Sequence, residues 1–140
     1  MARPNPIRTM MATPLPPKTV QRRLPYRPKL SEVIYTYNIL NRYVFDNKLV
    51  RPTIVTKTLR KAWGVCYGLA ELDYSTGSNC RIQINDKWFS TQWMVTTLAH
   101  EMCHQYQWDV YRWDHKDFTG REMNTDSGAH GPSFYMWRER

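Results

Sequence analysis

Residues 98–104 read Leu98-Ala99-His100-Glu101-Met102-Cys103-His104, and the surrounding pattern predicts a helix. Ser90 is a suitable N-cap for this helix, which we expect to run to about Tyr106 or a little beyond. On a helix, residues four apart point to the same side, so the two histidine side chains would lie one above the other. A separate apolar face is predicted to be buried, including a small thiol: Met94, Val95, Leu98, Ala99, Met102, Cys103 and Tyr106.

Two imidazoles at this spacing can hold one zinc ion. Glu101, between them, can take a proton from a zinc-bound water. This is the HExxH arrangement of zinc-dependent peptidases. The pattern also arises by chance in unrelated chains, but here it lies on a helix with its own apolar face. The sequence therefore predicts His100 and His104 as ligands of Zn²⁺ and Glu101 as the catalytic base.

A catalytic zinc site needs a third protein ligand and an open fourth position. His130 stands just before Gly131-Pro132, His115 lies eleven residues after His104, and Glu122 is followed by Asp126 four residues later. The residues themselves leave these three candidates open. A carboxylate often orients a ligating histidine. The acidic residues that could do so are Asp109, Asp114 and Asp126.

The flanking segments predict an α+β domain with a small antiparallel sheet. The first helix is predicted from Leu30 to Phe45, with Ser31 as N-cap. Gly64 and Gly68 lie within the second predicted strand, which indicates a bulge or a close backbone approach. The predicted strands are Thr53–Thr58, Ala62–Leu69 and Arg81–Asn85. Residues 109–129 show no periodicity, and a short final helix is expected from Gly131.

The basic charge is concentrated at the N-terminus. Residues 1–30 contain seven of the nine prolines and seven basic residues without an acidic one, whereas residues 31–140 contain thirteen basic and twelve acidic residues. Such a Pro-rich segment builds neither a helix nor a core. We therefore predict an extended basic arm over 1–30 and a globular domain over 31–140. The arm could bind nucleic acid or another acidic partner surface.

The cysteine content and the hydropathy pattern indicate in which cellular compartment the protein is expected. Three cysteines without a CxxC pattern favour a reducing environment over a disulfide framework. The N-terminus lacks the apolar core of a signal peptide, and no apolar run is long enough for a membrane span. We expect a cytoplasmic protein, or alternatively a virion component, without membrane contact.

In its zinc-binding motifs, the chain resembles the SprT-like (Spartan-type) zinc metalloproteases. The resemblance rests on Leu98–His104 followed by His130-Gly131-Pro132-Ser133-Phe134, and covers about residues 31–140. Softer similarities are the end of the first helix at Phe45-Asp46-Asn47-Lys48-Leu49, Trp63-Gly64 in a strand, and Ile82-Gln83-Ile84-Asn85 before the active-site helix. The resemblance implies a zincin-like fold, His130 as third zinc ligand, and hydrolysis of proteins attached to or near DNA.

Two departures from the family pattern stand out. The spacing from His104 to His130 is longer than the family leads us to expect, so the intervening loop looks like an insertion. No cysteine-rich zinc ribbon follows the domain before Arg140, so we expect any nucleic-acid contact made by that part to be missing. No sequence feature identifies the oxyanion stabiliser; Tyr135 is one candidate.

Two functional hypotheses follow. The first is an active zinc metalloendopeptidase that cleaves a protein substrate. The second is a structural component of a larger protein assembly, such as a phage virion, built on a metalloprotease-like domain. In that case the arm would add extended backbone to a neighbour. Since fold does not fix function, an intact zinc motif is compatible with either.

Overall fold

The computed structural model describes residues 7–9, 24–114 and Trp137. The predicted loop beyond residue 114 and the final helix from Gly131 lie outside these residues. Within them, the structure is α+β, as predicted. The elements are β1 (Ile7–Thr9), α1 (Leu30–Tyr43), β2 (Thr53–Lys57), β3 (Gly64–Asp73), β4 (Ser78–Asn85), α2 (Thr91–Tyr106), a π-helical segment (Gln107–Tyr111) and α3 (Arg112–Asp114).

The sheet has four strands in the order β1-β3-β4-β2. β3 pairs antiparallel with both β1 and β4, whereas β2 pairs parallel with β4, from Thr53 opposite Arg81 to Lys57 opposite Asn85. The prediction of an antiparallel sheet was therefore wrong for β2. The three predicted strands exist, but the sheet is mixed.

The parallel pairing follows from how the chain leaves β2. Residues 58–63 pass around the end of β4, so β3 runs back on the far side of β4 from β2. Two hydrogen bonds of Asn85 hold this connection in place. Its side-chain Oδ1 accepts from the backbone N–H of Leu59 at 2.9 Å, and its backbone N–H donates to the backbone carbonyl of Trp63 at 2.8 Å. Trp63 then stacks on Trp88, with ring centroids 4.8 Å apart.

α1 is where the sequence predicts it, with a different cap. The N-cap is Lys29 and not Ser31, because the Glu32 carboxylate reaches back to accept from the Lys29 backbone N–H at 3.4 Å. The predicted stripe is observed: Val33 and Tyr37 are fully buried, and Leu40 and Val44 pack against the core.

α2 begins at the predicted cap, since the Ser90 side chain accepts from the Trp93 N–H at 3.2 Å. α2 ends at Tyr106, as predicted, and helical conformation continues beyond it as the π-helical segment and α3 to Asp114. The prediction of an irregular segment beginning at Asp109 was therefore wrong for residues 109–114. Cys103 is a buried free thiol, as expected.

Parts of the predicted arm contact the domain. Ile7–Thr9 forms the edge strand β1, with Ile7 opposite Gly68 and Thr9 opposite Cys66. Leu24 belongs to the core, and Tyr26 makes an isolated bridge to Trp88. The boundary at residue 30 remains a prediction. None of the helices in the described part of the chain is long and apolar enough to cross a membrane.

Candidate metal centre

α2 brings the two predicted histidine ligands together. Because His100 and His104 are one helical turn apart, their rings are neighbours, with centroids 5.1 Å apart and planes 69° from parallel. His104 is fully buried and His100 is half-buried. The pair thus lies at the boundary between the core and an accessible surface, where a metal could meet both imidazoles.

Glu101 points into the interior of the protein. The residue has no exposed surface, and neither carboxylate oxygen makes a hydrogen bond of normal geometry to the described residues. Burial raises the pKa of the Glu101 carboxyl well above its usual range, and the backbone of Cys66 offsets this shift only in part. A buried carboxylate without a full set of partners is costly to fold around, which makes a chemical role more plausible than a structural one.

Gly64 of β3 makes room for this glutamate. A Cβ atom at Gly64 would lie 3.2 Å from Glu101 Cγ and equally close to side-chain atoms of Ile84 and Thr97. The start of β3 therefore passes directly against the helix at the level of Glu101. This confirms the close backbone approach predicted from the glycines in this strand.

The second glycine serves the end of the same helical region. A Cβ at Gly68 would lie 2.9 Å from the ring of Trp108, whose Nε1 donates to Leu69 O at 3.0 Å. Between Gly68 and Asp73 the pairing of β3 with β4 also shifts register. Both glycines thus let β3 lie close to α2 and its continuation.

His104 has a buried partner that the sequence did not suggest. Its Nδ1 lies 2.7 Å from Oε1 of Gln107, whose side chain is also fully buried. Of the acidic residues considered for this role, Asp126 lies outside the described residues, and the Asp109 carboxylate accepts from the Ser78 hydroxyl and from the Asn79 backbone N–H. The spacing of Gln107, three residues after His104, was the signal that could have identified it.

The third predicted ligand, His130, lies outside the described residues, as do His115, Glu122, Asp126 and Tyr135. Within residues 7–9, 24–114 and Trp137, no three histidine, cysteine, aspartate or glutamate side chains converge to hold a metal. The described part of the site thus supplies two imidazoles and a base. This donor set fits zinc, which favours nitrogen ligands, once one further ligand is added.

Comparison with known proteins identifies the family. A family model described as the SprT-like family matches residues 34–140, a range that includes α2 and the His130 segment. Comparison with curated proteins and with solved structures gives no match. SprT-like proteins generally bind zinc and are associated with metalloprotease activity. Since the match spans most of the sequence, the chain belongs to the SprT-like family.

Proposed function

We propose that this protein is a zinc-dependent metallopeptidase that hydrolyses peptide bonds with Glu101 as general base. The observation that carries the proposal is the fully buried Glu101 carboxylate, which lacks hydrogen bonds of normal geometry and stands between two histidines one turn apart. Such a carboxylate costs folding free energy. A role in proton transfer during hydrolysis would explain why a residue that opposes folding is kept.

In this proposal His100 and His104 hold zinc together with His130, which the family resemblance suggests as the third ligand. When bound, zinc lowers the pKa of water and polarises a carbonyl group. The Glu101 carboxylate accepts the proton of the attacking water and delivers it to the leaving amine. Burial raises the pKa of this carboxyl, so it binds a proton more readily than an exposed glutamate does.

The rigid frame around Glu101 supports the same function. α2 fixes the glutamate and both histidines on one element, and β3 closes against them at Gly64. A group that transfers a proton must stay within hydrogen-bond reach of the reacting atoms, and a displacement of about 1 Å can cost 10²-fold in rate. Placing base and ligands within one turn of a packed helix limits such displacement.

The test is cleavage of an unfolded protein such as casein by the zinc-loaded wild type and by Glu101→Gln. The amide keeps the size of the side chain but cannot accept the proton, so we expect turnover to fall about 10³-fold. Zinc content and the unfolding midpoint should stay close to the wild type. Equal cleavage by both proteins would overturn the proposal.

The proposal extends to the class of protein substrate. We infer that the enzyme acts on proteins bound to nucleic acid, because the family resemblance points there and residues 1–30 carry seven basic residues without an acidic one. Phosphate contacts release counterions, so stimulation by DNA should weaken steeply with added salt. The rate of cleavage of a DNA-binding protein and of casein, each measured with and without single-stranded DNA, separates this substrate preference from peptide hydrolysis itself.

The alternative role as a structural component of a larger assembly, such as a virion, remains a prediction. In that role, the arm would add extended backbone to a neighbouring protein. In the described part of the arm, Ile7–Thr9 pairs with β3 of the same chain. This pairing within one chain favours neither nucleic acid nor an assembly as the partner of the arm.

A further inference from the structure

The contact between His104 and Gln107 sets the chemistry of one histidine. A neutral imidazole carries one proton, and the nitrogen without it offers the lone pair that a metal needs. The side-chain oxygen of an amide only accepts hydrogen bonds. With Gln107 Oε1 at 2.7 Å, His104 Nδ1 must carry the proton, and the lone pair is then on Nε2.

Gln107 is held in place by the residues that follow it. Trp108 lies on Gly68 and donates to Leu69 O, which ties the π-helical segment to β3. Asp109 accepts from the backbone N–H of Asn79 at 2.8 Å, which ties the same segment to the start of β4. Two consecutive anchors thus fix the backbone directly beyond Gln107.

The π-helical conformation places the glutamine at the junction. The Gln107 backbone N–H donates to the carbonyl groups of both Cys103 and His104, at the point where α2 changes to the wider helix. π-helical turns are rare and occur frequently at functional sites. The change of helix type occurs at the residue that contacts a predicted metal ligand, and not at an arbitrary point along the helix.

We propose that Gln107 is a positioning residue that holds His104 in the Nδ1–H tautomer, so that Nε2 is available to zinc. The inference rests on the proposed role of His104 as a ligand, but the tautomer exists without metal. Outer partners of ligating histidines usually contribute 10- to 100-fold to metal affinity. Gln107 would act through His104 and would not itself touch metal or substrate.

The decisive measurement is the tautomer of His104 in the metal-free protein, read from ¹⁵N chemical shifts of its ring in long-range proton–nitrogen correlation spectra. We expect the wild type to show protonated Nδ1 and unprotonated Nε2. Gln107→Leu removes the acceptor and should shift His104 to a mixture or to the Nε2–H form. A wild type with the Nε2–H form, or a Gln107→Leu spectrum identical to the wild type, would overturn the inference.

Conservative variants exclude a merely structural effect. Gln107→Glu keeps an accepting oxygen and should retain the Nδ1–H form, whereas Gln107→Met keeps the side-chain length without the oxygen and should lose it. Gln107→Met also serves if Gln107→Leu fails to fold. Loss of the tautomer in Gln107→Glu as well would show that the amide oxygen is not its cause.

Zinc affinity, measured by competition with a fluorescent chelator, gives the second readout. Gln107→Leu should weaken binding 10- to 100-fold, and Gln107→Glu should stay within about 3-fold of the wild type. The control is Gln92→Leu, a glutamine on the exposed first turn of α2, about three helical turns before His104. It should leave both the tautomer and the zinc affinity unchanged, and equal losses in the two leucine variants would overturn the inference.

The two readouts separate this inference from the proposed function. If the wild type binds no zinc, the peptidase proposal fails, yet the tautomer measurement still decides the role of Gln107. If zinc binds and the tautomer is insensitive to Gln107, the positioning role fails while the peptidase proposal stands.

Discussion

Gln105 and Glu101 lie one turn apart on α2, and both are fully buried, but their surroundings differ. The Gln105 amide accepts from the Tyr37 hydroxyl at 2.7 Å and donates to Val50 O at 2.7 Å and to the Asp109 carboxylate at 3.0 Å. Both carboxylate oxygens of Glu101 lack such bonds to the described residues. One buried polar side chain is satisfied and the other is not.

The difference indicates that two buried polar residues of one helix have different roles: Gln105 stabilises the fold, and Glu101 is suited to a reaction. Satisfied buried groups fix the elements that they join, and Gln105 joins α2 to α1 and to the chain before β2. A buried carboxylate without a full set of partners opposes folding, so its retention points to a role in reaction. If this contrast is correct, removing the two side chains should change stability in opposite directions.

Gln105→Leu should produce the largest change in stability. It leaves the Tyr37 hydroxyl, Val50 O and one Asp109 oxygen with fewer partners in the interior, which should cost about 2–4 kcal/mol in the free energy of unfolding. Urea denaturation followed by circular dichroism measures the loss. The control is Gln92→Leu on the exposed first turn of the same helix, which should stay within about 0.5 kcal/mol. Similar small effects for both variants would break the comparison.

Glu101→Met should act in the other direction on the metal-free protein. An apolar side chain of similar length removes the desolvation cost of the carboxyl, so we expect a gain of about 1–2 kcal/mol in the free energy of unfolding. Activity should be lost at the same time. The exposed Glu71 of β3 provides the control variant Glu71→Met, which should leave stability nearly unchanged. A destabilised Glu101→Met protein would show that the carboxyl has a supporting role after all.

Tyr37→Phe tests how much one hydrogen bond to the Gln105 amide contributes to stability. The change deletes only the hydroxyl that donates to Gln105 Oε1, and we expect a loss of about 1 kcal/mol. Tyr35→Phe, two residues earlier on the same helix and 67% exposed, should have no measurable effect. The unfolding midpoints of both variants in urea decide the matter. Equal midpoints would mean that the hydroxyl contributes nothing to the cluster.

The smallest effect concerns a buried group that is neutral in the folded protein. Burial raises the pKa of the Cys80 thiol well above its usual range. The folded state therefore holds this proton more tightly than the unfolded chain does. Stability from the thiol is complete below its ordinary pKa and is lost as the pH rises beyond it. Between pH 8 and 9 the loss should be about 0.7 kcal/mol.

Comparing unfolding at these two pH values in the wild type and in Cys80→Ala measures that contribution. The alanine variant is expected to lose about 0.7 kcal/mol less between pH 8 and 9, whatever its stability at pH 8. Reductant must be present throughout, because the chain has three free cysteines. The same pH dependence in both proteins would show that the Cys80 thiol does not titrate differently on folding.

The sequence predicts α2 well because two independent periodicities coincide there. Apolar residues define the buried face, and His100, Glu101 and His104 define a second strip that a helix keeps together. Gly64 and Gly68 likewise predict the close approach of β3. These features depend on local spacing, which the sequence contains in full.

The missed features depend on partners distant in sequence. An alternating strand such as β2 does not encode which neighbour it joins or in which direction, so its parallel pairing with β4 was not predictable. β1 is only three residues long and lies in a Pro-rich segment. Gln107 has the right spacing to reach His104, but helical propensity gives no indication of the π-helical turn that follows. His130 was chosen by family resemblance, and the described residues neither support nor oppose it.

The short strand β1 pairs with an edge of the sheet that would otherwise be open. β3 would otherwise present the unpaired backbone of Cys66, Tyr67 and Gly68 to solvent, and exposed strand edges recruit other chains. The segment Ile7–Thr9 covers this edge from within the same molecule. A protein shortened past residue 9 would keep α2 yet present an open edge. Its solubility, more than its chemistry, would then limit what it can do.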